Sequence, residues 1–212
     1  MDSKVEELLS FIKQSPSPFH TVQSSRKLLE KAGFREVVQT TAWDLVPGGK
    51  YFTEVYGSTL LAFKLGRKMV HGIETSLRIA AAHTDFPCFR VKPAAGVSKE
   101  GYGSLNIESY GGLILSTWQD RPLSLAGKVV FAGTDVFHPE VRIVDLARPL
   151  LLIPSLAIHM NRKVNEGVAL NPQKDLLPLF QMMEEDEADR DFFLTALAYE
   201  CGCRAEDILS YE

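Results

Sequence analysis

His83 and Asp85 stand two residues apart in the stretch AAHTDFPCFRVKP (81–93). Imidazole nitrogen is a good zinc ligand at neutral pH. A nearby carboxylate can orient a ligating ring and raise its basicity. The apolar run LRIAAA (77–82) just before them reads as a strand. Side chains on a strand repeat every two residues, so His83 and Asp85 would share a face. They fall where the run ends, and open α/β sheets place ligands beyond the carboxyl ends of their strands. Pro87 stiffens the exit and removes a donor. On spacing alone, a metal site and a strand-end histidine bonded to a turn aspartate both remain open.

Other chemistry has less support. There is no G-x-S-x-G elbow, and the glycine pairs at 48–49 and 111–112 lack the strand–loop–helix setting of a phosphate cradle. Cys201 and Cys203 would be half of a thiolate site, with no second pair to complete it, and Cys88 is isolated. They read as small apolar residues near a helix end. His20 follows Ser-Pro-Phe at a helix start and reads as a packing or capping residue. His71 and His138 lie in polar, turn-like contexts and read as exposed. Asp120, in TWQDRP, is expected to pair with Arg121 or to cap a turn.

The elements that would position these residues change in texture along the chain. Val5, Leu8, Leu9 and Ile12 recur at helical spacing. Ser15-Pro16-Ser17-Pro18 stops that helix and opens a second, Phe19 to Ala32, with Gly33 as its stop. Strand-like runs follow at 35–38, 51–56, 59–65 and 77–82, with Gly57-Ser58 as a hairpin turn. The stretch Lys92 to Tyr102 is rich in Gly, Ala, Ser and Lys and reads as a domain boundary. Beyond it, SLNIES, LILSTW, LAGKVVFAG and VRIVDL read as a β-rich patch. Helical texture returns at 175–183, 191–200 and 205–209, and the acidic run Glu184 to Asp191 reads as solvated.

Composition narrows the class further. The 212 residues are 45% hydrophobic and 24% charged, with a net charge of −4 and no concentrated basic face. A nucleic-acid partner is therefore not expected. The longest apolar stretch, LLLIPSLAI, is broken by Pro154 and is well short of a membrane span of about 20 residues. The charged N-terminus does not read as a signal peptide. Three cysteines argue against a disulfide framework and for a reducing, cytoplasmic setting.

Several ordered pieces resemble the M18 family of zinc aminopeptidases, the aspartyl aminopeptidases. They are SPSPFHTV (15–22), AAHTDFPCFRVKP, YGGLILSTWQDRPLSLAGKV (110–129), RPLLLIPSLAIHMNRKVNEG (148–167) and AEDILSYE (205–212). The resemblance implies an α/β fold, a partial zinc-peptidase catalytic domain interrupted by a β-rich dimerisation domain. Residues 1–92 would be the first part of the catalytic domain, 93–207 the inserted dimerisation domain, and 208–212 the start of the return. It implies His83 as a metal ligand, Asp85 as its orienting carboxylate, and His159 as a residue reaching into a neighbouring subunit's active site. It also implies two zinc ions per complete subunit, although cobalt or manganese would suit such a site as well. The expected partners are a peptide substrate and copies of the chain itself, as a homodimer and then a dodecamer.

The family's other four metal ligands and its general-base glutamate have no match here. Asp120 and Glu166 belong to the inserted part and do not replace them. The pattern is still running at Glu212, so the expectation is a chain that continues, with this part alone holding no stable metal and hydrolysing nothing. The alternative expectation is a non-catalytic self-association module that keeps the dimerisation domain.

Overall fold

The computed structural model describes residues 3–67, 77–183 and 191–212. The chain forms two compact units, Met1–Phe86 and Pro87–Glu212.

The first unit contains two helices and a small sheet. Helix α1 spans Ser3–Lys13 and α2 spans Pro18–Lys31. Helix α2 starts where the sequence punctuates it. Ser17 is extended, its Oγ accepts from the His20 N–H, and Pro18 occupies the first turn, where a missing N–H costs nothing. Ser17 Oγ also lies 2.7 Å from the buried His20 Nδ1, so His20 is the capping and packing residue expected. Strand β1 (Arg35–Glu36) runs parallel to β2 (Lys50–Val55), which pairs antiparallel with β3 (Thr59–Lys64). Phe19, Val22, Val37, Tyr51 and Phe52 form the buried centre. Arg26 joins α2 to the sheet through Glu36 and Glu54, with its guanidinium over the Phe52 ring.

The run 77–82 is not a strand. It has no regular structure and is unpaired, and Leu77 and Ile79 are 83% and 84% exposed. The periodicity is right, but a strand also needs a neighbour to take its N–H and C=O groups. Among the described residues none does so. His71 and most of the acidic run Glu184 to Asp191 lie outside the described residues.

The second unit is β-rich. Strands β4 (Cys88–Lys99) and β5 (Tyr102–Tyr110) form a long hairpin. The boundary expected near Lys92 falls inside β4, and the compact units divide six residues earlier. The Pro-Ala-Ala-Gly composition there marks a bulge: the register jumps between Val91 and Gly96, and Ala94 takes φ 52. Strands β6 (Ala126–Phe131) and β7 (Glu140–Asp145) form a second hairpin. The run LILSTW gives a 3-10 turn (Leu115–Trp118) instead of a strand.

A short helix, α3 (Pro172–Asp175), is followed by β8 (Leu179–Met182), which pairs with β5. The helix expected over 175–183 therefore gives way to a strand. Pairing with β5 outweighs local propensity, as tertiary context commonly does. Helix α4 (Phe192–Cys201) is capped by Asp191 and ends at the left-handed Gly202. The expected short helix at 205–209 is a 3-10 turn, and β9 (Ile208–Tyr211) then pairs with β6. Phe192, Phe193 and Leu197 of α4 pack among Leu105, Val129 and Ile208 of the two sheets.

Tyr211 ties these sheets together. Its hydroxyl donates to the Lys92 carbonyl at 2.9 Å and accepts from the Ala95 N–H at 3.4 Å, inside the β4 bulge. Burial pushes its phenol above the ordinary value. Its ring meets Phe193 edge-on at 5.2 Å. Tyr211→Phe keeps the ring and removes only the hydroxyl. We expect it to lower stability by about 1 kcal/mol, read as a lower urea midpoint at unchanged slope.

Candidate functional site

His83 and Asp85 are brought together. His83 Nδ1 lies 3.0 Å from Asp85 Oδ1. An ionised carboxylate only accepts, so Nδ1 carries the proton and donates it. In the neutral ring that leaves the lone pair on Nε2, the nitrogen that can bind a metal. The His83 side chain is 90% exposed and that of Asp85 only 24%. The imidazole thus stands in solvent on a carboxylate that is mostly covered. Between them, Thr84 points elsewhere. Its Oγ1 donates to the Ser58 carbonyl at 2.8 Å, in the turn joining β2 to β3. Sequence reasoning passed over Thr84. The available signal was its place as the alternating residue between two candidates.

The arrangement fits one ligand of a metal centre, an imidazole oriented by a carboxylate. Among the described residues, no group of three or more His, Cys, Asp or Glu side chains is placed to hold a metal ion. The cysteines add no ligand chemistry. All three are free thiols, and burial raises Cys201 above its ordinary value, away from the thiolate a metal takes.

His159 belongs to the second unit. It lies in an exposed turn, where the Met160 and Asn161 N–H groups both bond to the Ala157 carbonyl. The segment leading to it is anchored. Leu151 bridges to Leu123, Leu152 bridges to Leu179, and Ile153 is fully buried. Asp120 then closes the anchor. Its N–H donates to the Ile153 carbonyl at 2.9 Å and its Oδ1 accepts from the Ser155 N–H at 3.0 Å. The expected pairing with Arg121 is not made; Arg121 donates to the Thr117 carbonyl instead. Asp120 bonds instead to Ser155, 35 positions away, in a stretch of irregular chain. Past this anchor, Leu156, Ile158 and Met160 are 55%, 48% and 74% exposed around His159. His138 is exposed, as expected, and bonds to Asp135.

The Ser155 hydroxyl and N–H hold the Asp120 carboxyl below the usual carboxylate range. A depressed folded value gives stability that is complete above the unfolded value of about 3.9 and is lost as pH falls through the folded value. We therefore expect the Ser155 amide to keep its hydrogen-exchange protection from neutral pH to about 4 and to lose it below that. Asp120→Ala should lose it at every pH.

The family model described as aminopeptidase I zinc metalloprotease (M18) matches residues 11–212. A probable M18 family aminopeptidase 2 from Clostridium novyi (strain NT) is 41% identical over 207 residues, covering 97% of this chain and 47% of that protein. The chain thus spans about half the length of the curated relatives it matches. A chain in the cryo-EM structure of the Ape4 and Nbr1 complex superposes with a TM-score of 0.87 at 32% identity, covering 97% of this chain and 42% of that one. Chaetomium thermophilum mApe1 superposes with a TM-score of 0.82 at 28% identity, covering 97% and 48%.

Proposed function

The chain belongs to the M18 family of zinc metalloproteases, and from that premise we propose that it contributes His83 as a metal ligand to an aminopeptidase that removes N-terminal, acidic residues from peptides. The observation that carries the reading is the His83–Asp85 pair, with Nδ1 committed to the carboxylate and Nε2 left to solvent. Asp85 holds the ring in one tautomer and one orientation, and makes it the more basic ligand. Two zinc ions at such a centre would supply a water of lowered pKa and polarise the scissile carbonyl. The chain's second contribution is His159, donated to a neighbouring subunit. There it faces the substrate carbonyl and stabilises the oxyanion from about 3 Å, a role that needs no metal contact. The exposed turn carrying it beyond the Asp120 anchor supports that reach.

The partners in this reading are a peptide and further copies of the chain, assembled as dimers and then a dodecamer. Its place is the cytoplasm, which the three free cysteines support. Among the described residues, no helix is long and apolar enough to cross a membrane. A second reading, a self-association module without catalysis, is favoured by the exposed Leu156, Ile158 and Met160, which suit contact with another copy.

The test uses the complete enzyme that carries this sequence. His83→Ala subunits and His159→Ala subunits, each inactive, are mixed and allowed to exchange. Activity should return, because some mixed dimers regain one intact site. A mixture that stays dead after confirmed exchange overturns the role of His159 across subunits. The 212-residue chain alone should retain less than two zinc ions per chain after dialysis and should not hydrolyse Asp- or Glu-terminated peptides. It should sediment as a dimer or larger, and a clean monomer would count against both readings.

A further inference from the structure

The pair His83–Asp85 needs something to hold it. Residues 77–82, which lead into it, lie in no strand and are exposed. The imidazole is also almost wholly in water, where a single hydrogen bond has to offset the entropy of fixing the ring. The residue between them makes a contact that reaches 26 positions back along the chain. We propose that Thr84 is the positioning residue of the pair, its hydroxyl clamping the 83–85 turn to the Ser58 carbonyl at the tip of the β2–β3 hairpin. The proposal rests on the reading of His83 as a metal ligand.

The hairpin is a suitable anchor. Six residue pairs join β2 to β3, and Val55 opposite Thr59 closes the ladder. Residues 56–58 form the tip. The Ser58 N–H bonds back to the Val55 carbonyl, and Tyr56 and Gly57 both take positive φ, 53° and 70°. Primed turns have this pattern, which matches the twist of the strands they join. The tip lies beyond the ladder, so the Ser58 carbonyl is not used in strand pairing and is open to a donor from elsewhere. Thr84 supplies that donor at 2.8 Å.

The conformation has a cost at Tyr56. A non-glycine residue in the left-handed region is sterically disfavoured, because its Cβ crowds the following carbonyl oxygen. Tyr56 is 89% exposed, so buried contacts do not offset the strain. Strain of this kind persists where the surroundings over-determine the backbone, and it collects near functional sites. Here it lies two residues from the carbonyl that receives Thr84. The three residues 83–85 then divide the work: the outer two form the ligand pair, and the middle one ties that pair to the nearest rigid element.

The readout is the His83 ring in a long-range proton–nitrogen NMR spectrum of the 212-residue chain, at one fixed alkaline pH and without metal. Asp85→Ala gives the endpoint for a ring released from its carboxylate. Thr84→Val removes the hydroxyl while keeping the shape. It should move the His83 Nδ1 resonance most of the way to that endpoint, with the β2 and β3 amide signals in place. Thr84→Ser keeps the donor and should restore the wild-type resonance. A wild-type His83 resonance in a folded Thr84→Val chain overturns the proposal. If Thr84→Val does not fold, the wild-type chain decides. A slowly exchanging Thr84 hydroxyl proton with a cross-peak to Ser58 supports the clamp, and a freely exchanging one overturns it. None of these signals needs zinc. Failure of His83 to bind metal would sink the ligand reading and leave the clamp standing, and the reverse result would separate them equally well.

Discussion

An extended chain keeps its shape only when its backbone N–H and C=O groups find partners on a neighbouring strand. That requirement organises both units. In the first, β2 is the middle strand, and it carries the buried Tyr51, Phe52 and Thr53 because it alone has a neighbour on each side. In the second, β5 and β6 hold the same position in their own sheets and contribute Leu105, Ile107, Val129 and Phe131 to the core. The edge strands are shorter, bulged or more exposed. The run 77–82 meets the sequence criteria for a strand yet is not one, because pairing depends on a partner and periodicity does not provide it.

The candidate site works around that gap. Without a ladder to fix His83 and Asp85, the stretch is held by side-chain bonds that include His83 to Asp85, and Thr84 to the Ser58 carbonyl. The second ties a short stretch of open chain to a strained but well-paired hairpin. The first, with Nδ1 as the donor, leaves Nε2 of the neutral ring available. Asp120 plays a comparable part in the second unit. It bonds to Ile153 on one side and to Ser155 on the other, so the chain leaves the core at a fixed point before the exposed turn of His159.

Apolar surface follows the same logic. Val5, Leu8, Leu9 and Ile12 form the stripe their spacing foretells, yet no residue of α1 is buried. An amphipathic helix is stabilised mainly by what its apolar face packs against. The stripe is therefore evidence of a face made for contact and says nothing of the contact itself. The cluster around His159 is similar, with Leu156, Ile158 and Met160 presented to solvent by an anchored but irregular segment. The core of the second unit is the contrast. Two sheets close over α4, and the Tyr211 hydroxyl satisfies backbone groups that the β4 bulge would leave unpaired.

Local chemistry made part of this legible from the residues alone. Ser17-Pro18 opens α2, Gly33 follows its end, Gly57 turns the β2–β3 hairpin, and Asp191 and Gly202 bracket α4. Each is a short-range effect of one side chain on its own backbone. The closeness of His83 and Asp85 was legible for the same reason, since two positions apart is within reach of one bond. Long-range pairing decided the rest. Whether 179–182 is helix or strand depends on β5, about 75 residues earlier. Whether 92–102 is a linker or a bulged hairpin depends on Tyr211 and Phe192, which fill the space beside Ala95 and Gly96. Asp120 meets Ser155 instead of its neighbour Arg121, and Thr84 finds Ser58, because the fold carries those partners to them. A sequence states which bonds a residue can make. Only the tertiary structure, by setting distances between residues far apart in the chain, decides which of them it does make.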